Sequence, residues 1–295
     1  MKHRKPKFSG HQTFVIRYGW VEKGYRFVKS GLNFNSDNAI VDLGVGKNMV
    51  ESIRYWGEMM GTIEALAPSD FANKLLDEQT GWDPYLEDNN SYWLLHWRLN
   101  TNPECMHSGM ILFSHLRKPE FSKRDVVDAA LRLLDSHDKK SPADSILNKD
   151  IDCYLRLYAG TRRQNTKQKE ELIGSPLQEL SLIQMINDSD LYCFNIGTKP
   201  NLAPEIIGYS LWDYMKNLNK IAITINEALY REYSPGQIFM LDENSLVEAV
   251  EQLSNDPRWS SYFGFSESAG IALIHCTLTE GYELLDSYYK LSEKA

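Results

Sequence analysis

The stretch from Ser36 to Glu64, SDNAIVDLGVGKNMVESIRYWGEMMGTIE, limits the folds open to this chain more than any other. Gly44-Val45-Gly46 interrupts two helix-competent segments, because glycine adopts backbone angles that other residues avoid. Ser36 and Asp37 offer side-chain oxygens for a helix start. From Lys47 to Met60 no proline intervenes, and apolar residues recur at helical spacing. Ala39, Leu43, Val45, Val50 and Ile53 are placed to be buried where two helices cross. Lys47, Asn48, Glu51, Arg54 and Tyr55 then fall on other faces, as on the recognition helix of a helix-turn-helix. An ordinary helical hairpin with a solvated charged face satisfies the same pattern.

Charge narrows the partners. The chain has 295 residues and a net charge of -8. Non-specific DNA binding rests on phosphate neutralisation by Lys and Arg, so a nucleic-acid surface here must be a local patch. Two basic patches stand out: Lys2, His3, Arg4, Lys5 and Lys7 at the N-terminus, and Arg162, Arg163, Lys167 and Lys169 further on. Each alone also reads as a solvated tail or loop. Cys105, Cys153, Cys193 and Cys276 are scattered without a C-x-x-C pair, which argues against a zinc ribbon or a disulfide framework. The basic N-terminus lacks an apolar signal core, and no apolar run is long enough for a bilayer. A cytoplasmic protein with reduced thiols and no membrane partner is the expectation.

Along the chain, the pattern predicts a mainly α protein with short β-hairpins, an α+β class. The expected order is a winged helix-turn-helix over 1–90, a helical core over 91–160 and an α+β region over 161–295. Trp20, Val21, Tyr25 and Val28 mark a first helix. Thr62 to Leu66 and Trp82 to Leu86 are the expected strands of the wing. SYWLLHWRLN, from Ser91 to Asn100, reads either as an aromatic platform for stacking bases or as a core helix. Ser122 with Asp125 resembles a capping box with Asp for Glu. Asn148 to Tyr158 reads as a helix with Ile151, Tyr154, Leu155 and Tyr158 inward. Pro204 opens a helix running to Lys216. Ile221 to Tyr233 is read as a helix, Ile238 to Leu241 as a short strand, and Ser245 to Leu253 as a helix started by Asp242 or Glu243. Strands over Phe263 to Phe265 and Ile271 to His275 complete a second winged-helix-like or small α+β unit.

Several motifs then line up in one order. FSGHQTF-x-x-RYGW-x-x-KGY, LGVGKNMV-x-SIRYW, SPLQEL-x-LI, NIG-x-KP-x-L-x-PE-x-x-x-Y-x-LWDY and SPG-x-x-F-x-LDE-x-SLVE resemble an SspB-like family from bacterial DNA phosphorothioation clusters. The likeness runs from Phe8 to about Leu273. In those clusters sulfur replaces a non-bridging phosphate oxygen, and the marked DNA supports defence against phage. The resemblance implies a DNA-handling protein acting beside a cysteine desulfurase, an ATPase and an ATP pyrophosphatase-like sulfur-transfer protein. It further implies a nicking endonuclease that opens a strand for sulfur insertion. One departure is visible: the family opening usually reads H-E-T-F, and here it is His11-Gln12-Thr13-Phe14. If the carboxylate were a metal ligand or base, its loss would matter; if it only caps a helix, glutamine serves.

A nickase activates water and stabilises a charged phosphoryl transition state, by carboxylate-held Mg²⁺ or by His with Lys or Arg. Mg²⁺ is therefore the candidate metal. Gly44-x-Gly46-Lys47 is no P-loop, so no nucleotide is expected. The catalytic candidates are His11 with Arg17, and Glu205 with Asp213 after Lys199. Each has a plain structural alternative: a hydrogen-bonded histidine, a salt bridge, a solvated helix face. The DNA-contact candidates are Arg17, Lys23, Lys47, Asn48, Arg54, Tyr55 and Lys199. Three functions follow for testing: a nickase, a non-catalytic winged-helix module for recruitment or regulation, or a purely structural interaction protein.

Overall fold

The computed structural model describes residues 5–103, 105–137, 139–160, 174–187, 189–268 and 271–292. The basic stretch Arg162 to Lys169, and Lys2, His3 and Arg4, lie outside those residues. The chain divides into two units, 1–195 and 196–295. The expected divisions near 90 and 160 both fall inside the first unit.

In the first unit, β1 (Lys5–Pro6) leads to α1 (Trp20–Lys29), α2 (Ala39–Leu43) and α3 (Lys47–Met59). The glycine break works as the sequence suggests. Gly44 ends α2 with φ at 63°, a left-handed angle that costs other residues about 1–2 kcal/mol. The helix start lies later than expected: Ser36 Oγ accepts the Asn38 N–H at 3.2 Å, and α2 begins after Asn38. Ala39, Leu43, Val50 and Ile53 are buried at the crossing, while Val45 is half-buried.

A small hairpin follows α3, formed by β2 (Ile63–Glu64) and β3 (Ala67–Pro68). The strand expected at Trp82 to Leu86 is instead a loop. There the Asp83 carboxylate accepts the N–H groups of Glu87 and Asp88 at 2.9 and 3.0 Å, and Leu86 takes a positive φ of 52°. Those local bonds compete with a ladder and hold the chain in a turn. Next come α4 (Asp70–Leu76), α5 (Asn89–Thr101), β4 (Cys105–Met106) and α6 (Ser108–Met110), which runs into a π-helical turn at Ile111–His115. β1 pairs with β4 in parallel, Lys5 against Cys105 and Pro6 against Met106.

β5 (Glu120–Ser122) leads into α7 (Lys123–Ser136), started by the Ser122–Asp125 capping box with both reciprocal bonds present. After α8 (Asp144–Ala159) and a 3₁₀ turn at Pro176–Leu180, β6 (Ile183–Met185) and β7 (Leu191–Phe194) complete a sheet in the order β5-β7-β6. The aromatic run of α5 is core, not a stacking platform: Trp93 and Trp97 are at most 1% exposed. Tyr154, Tyr158, Phe113 and Phe121 are fully buried as well, and rings of this size each bury on the order of 150–250 Å².

The second unit runs α9 (Pro204–Asn217), β8 (Ala222–Thr224), α10 (Ile225–Tyr230), α11 (Pro235–Phe239), α12 (Glu243–Asn255), β9 (Phe263–Ser268), β10 (Ile271–Cys276) and α13 (Tyr282–Ser292). Its sheet order is β8-β10-β9, all antiparallel. A strand before the central helices that pairs with the last strand of a closing hairpin is winged-helix threading. Two segments differ from expectation. Residues 222–224 form a strand because His275, Ile274 and Leu273 of β10 pair with them, and Thr224 then caps α10. Pro235 to Phe239 is helical because Ser234 caps it and Pro235 sits in its first turn.

Candidate nucleic-acid interface

α3 is fixed at its far end and open at its start. Arg98 Nε donates to Met60 O at 3.1 Å, and Asn102 Nδ2 donates to Met59 O at 3.1 Å. These side chains of α5 and the turn after it satisfy carbonyls at the C-terminus of α3. Trp56 Nε1 donates to Phe14 O at 3.0 Å, tying the middle of the helix to the N-terminal segment. At the other end the Gly46 cap makes no side-chain hydrogen bond. The Met49 N–H is taken by Gly46 O at 2.9 Å, which leaves the N–H groups of Lys47 and Asn48 at the positive end of the helix dipole. Lys47 and Asn48 are exposed there. Lys23, also exposed, reaches across from α1 and donates to Leu43 O at 3.0 Å, beside the glycine turn.

The remaining DNA-contact candidates do not join them. Tyr55 is 3% exposed and its hydroxyl lies 3.1 Å from that of Tyr154; burial pushes its phenol well above the ordinary value. Arg54 is half-buried, donating to Glu58 at 2.7 Å and to Asn35 at 3.0 Å. Burial opposes ionisation of Glu58, but the bonds from Arg54 and Lys7 outweigh it and hold that carboxyl below its usual range. Arg17 is half-buried, its guanidinium 5.5 Å from the Trp20 ring and 5.9 Å from that of Phe14. Lys199 lies in the second unit, 7% exposed, donating to Gly197 O at 2.6 Å and Met240 O at 3.1 Å. Two carbonyls hold its ammonium inside, so it offers no charge to a phosphate.

The catalytic candidates are likewise separated. Glu205 and Asp213 stand on one helix, roughly 12 Å apart along its axis. Glu205 accepts from Arg258 at 3.2 Å and Asp213 from Asn217 at 3.4 Å. His11 is fully buried. Its Nδ1 accepts the Thr13 N–H at 3.0 Å, which leaves Nε2 to donate to Asp150 Oδ1 at 2.8 Å. Asp150, a residue the sequence reading passed over, also accepts the Ser9 N–H at 2.6 Å and the Ser108 hydroxyl at 2.6 Å. The His11 ring stacks on Trp56 with centroids 5.8 Å apart. Serine, histidine and aspartate meet here, but the carboxylate sits between the other two. Nucleophile activation needs the imidazole in that middle place. The cluster is an anchor. Ionisable Asp150 at an inward position of α8 was the sequence signal for it, since buried charge is rare without partners.

The anchor holds a strained segment. Ser9, Gln12 and Thr13 all have positive φ, at 69°, 49° and 66°, and such residues cost on the order of 1–3 kcal/mol each. Gly10 is required, because a Cβ there would fall 2.4 Å from the Tyr55 ring. Gln12 Nε2 donates to Glu51 on the outer face of α3 at 2.5 Å. A carboxylate at position 12 would face Glu51 without a proton to share, which gives glutamine a reason to stand there.

Comparisons place this geometry in context. A family model described as a protein of unknown function, DUF4007, matches residues 8–289. Two solved structures, a magnesium ion-bound SspB and an SspB, are each 27% identical to the chain. Each has a TM-score of 0.87, covering 100% of this chain and 91% of the other. No curated protein matches. Among the described residues, no three of His, Cys, Asp and Glu gather as a metal site, and no helix is long and apolar enough to cross a membrane.

Two outcomes follow from these contacts. Asp150→Ala strips acceptors from His11, Ser9 and Ser108, and we expect a loss of about 3–5 kcal/mol in urea unfolding; a loss below about 1 kcal/mol would show that the anchor is dispensable. Burial lowers the Lys199 pKa from its ordinary 10.5 to about 8 against the opposing pull of Asp242. Between those values the unfolded chain binds more protons, so the Lys199 contribution to stability rises with pH. Wild type should therefore gain on Lys199→Met as unfolding is repeated from about pH 7 to about pH 9.5. A difference that stays constant across this window contradicts the burial of the ammonium.

Proposed function

The chain belongs to the DUF4007 family and is related to SspB, and from that premise we propose that it is the DNA-holding component of a bacterial phosphorothioation system. We read α1, α2, α3 and the β2–β3 hairpin as an N-terminal winged helix-turn-helix, with the start of α3 against DNA. The observation that carries this reading is the exposed, uncapped first turn of α3 with Lys47, Asn48 and the neighbouring Lys23. Such a turn offers backbone N–H groups, a favourable dipole and exposed cations to a phosphate.

Charge distribution supports the same choice. Residues 196–295 hold fourteen Asp and Glu against seven Lys and Arg, so only -1 of the chain's -8 belongs to residues 1–195. The second unit has winged-helix threading, yet the outer face of α12 exposes Glu243, Glu248 and Glu251. Its hairpin, residues 263–276, contains no Lys or Arg. That surface repels phosphate, which leaves the first unit to approach DNA and the second to face proteins. A cysteine desulfurase, an ATP pyrophosphatase-like sulfur transferase and an ATPase are the expected protein partners of such a system.

Strand nicking by the chain itself is the second reading, favoured by the magnesium-bound relative. Among the described residues no three of His, Cys, Asp and Glu gather at one place, and magnesium is usually held by only one or two carboxylates with water completing its shell.

Salt-titrated anisotropy with duplex DNA tests the first reading. Lys47→Ala and Lys23→Ala should each weaken binding to all sequences and lower the salt slope by about 1. Failure to retain any duplex at low salt rejects the DNA-holding role. Incubation with supercoiled plasmid separates the second reading: open circles that appear with Mg²⁺ and vanish with EDTA support nicking, and DNA retention without open circles rejects it.

A further inference from the structure

The segment carrying Gln12 is costly to build, and the rest of the first unit engages its other residues. His11 and the Ser9 N–H bind Asp150, Gly10 lies against Tyr55, and Thr13 O accepts from Arg156 Nη2 at 2.7 Å. The Gln12 side chain takes no part in this. It turns the other way, to Glu51 on the outer face of α3. Glu51 stands three residues from Asn48 and four from Lys47 on the same helix, so these side chains are surface neighbours about 5–6 Å apart. Gln12, Asn48, Glu51 and Lys47 therefore make one polar patch around the first turns of α3.

We propose that Gln12 reads base identity in duplex DNA, with adenine as its preferred partner, and that Glu51 positions it. The proposal rests on the DNA-holding reading above. A glutamine amide has two N–H donors and one carbonyl acceptor. Glu51 takes one donor. The other N–H and the carbonyl oxygen remain as a donor–acceptor edge, which matches the N7 acceptor and N6 donor of adenine in the major groove. Asn48 carries the same edge one step away along α3. The patch has no arginine, the side chain that pairs with the two acceptors of guanine. A single cation, Lys47, supplies attraction without sequence preference. The strained backbone, locked by the buried Asp150 anchor, keeps the amide from drifting, as a reader on a rigid support requires.

The test uses the full chain and labelled duplexes that differ only in their central base pairs, first selected from a randomised pool. Wild type should prefer adenine at one position by about tenfold. Gln12→Ala should abolish that preference, and Glu51→Ala should weaken it. Glu51→Gln, which keeps an acceptor for the amide, should restore it. Lys47→Ala should instead lower affinity for every duplex alike. Equal binding of wild type to all duplexes overturns the proposal while leaving the DNA-holding role intact. So does an adenine preference that survives Gln12→Ala. Absence of binding to every duplex at low salt overturns the DNA-holding role itself, and this proposal with it.

Discussion

The buried Asp150 carboxylate is the constraint on which the first unit depends. A charge taken out of water is costly unless every lone pair it exposes is met. Here a backbone N–H, an imidazole and a hydroxyl meet it, from Ser9, His11 and Ser108. Those donors come from the N-terminal segment and from α6, while Asp150 itself belongs to α8. One side chain thus joins pieces far apart in sequence. It also makes the left-handed backbone at Ser9, Gln12 and Thr13 tolerable, because hydrogen bonds to a charged group offset that strain.

Around this anchor α3 has two contrasting ends. Its middle and far end are committed to the core, through Trp56, Tyr55 and the side chains that satisfy its last carbonyls. Its first turn is left to solvent. A helix held so firmly at one end presents the other with little freedom, the condition under which surface amides and cations can act as a shaped reader. The second unit carries most of the chain's negative charge. Two units on one chain share similar helix-and-hairpin order, yet the residues exposed on α3 and α12 differ in charge.

Much of the fold was legible in the sequence. The helix break at Gly44, the capping box at Ser122, the helix opened by Pro204 and the closing hairpin all rest on local chemistry that acts within a few residues. The misread segments were those that partners decide. Residues 222–224 carry no turn signal and become a strand only because β10 lies beside them. Trp82 to Leu86 looked extended, but Asp83 folds the chain back on itself. Tyr55 shows the limit within a helix. Its position allowed an outer face, and the hydroxyl of Tyr154, 99 residues away, drew it inward.

The sequence by itself determined the helix-rich class, the glycine-broken pair of helices and the acidic bulk, because propensity, capping and net charge are properties of neighbours and of composition. The tertiary structure alone decided which candidate residues are surface and which are core. His11, Lys199 and Tyr55 are polar residues whose role depends on distant partners, and burial among those partners turned them from contacts into anchors. Lys23, Lys47 and Asn48 stayed outside because the fold used the other faces of α1 and α3 for packing. Gln12 reached the same surface only because a buried carboxylate pays for the turn that carries it.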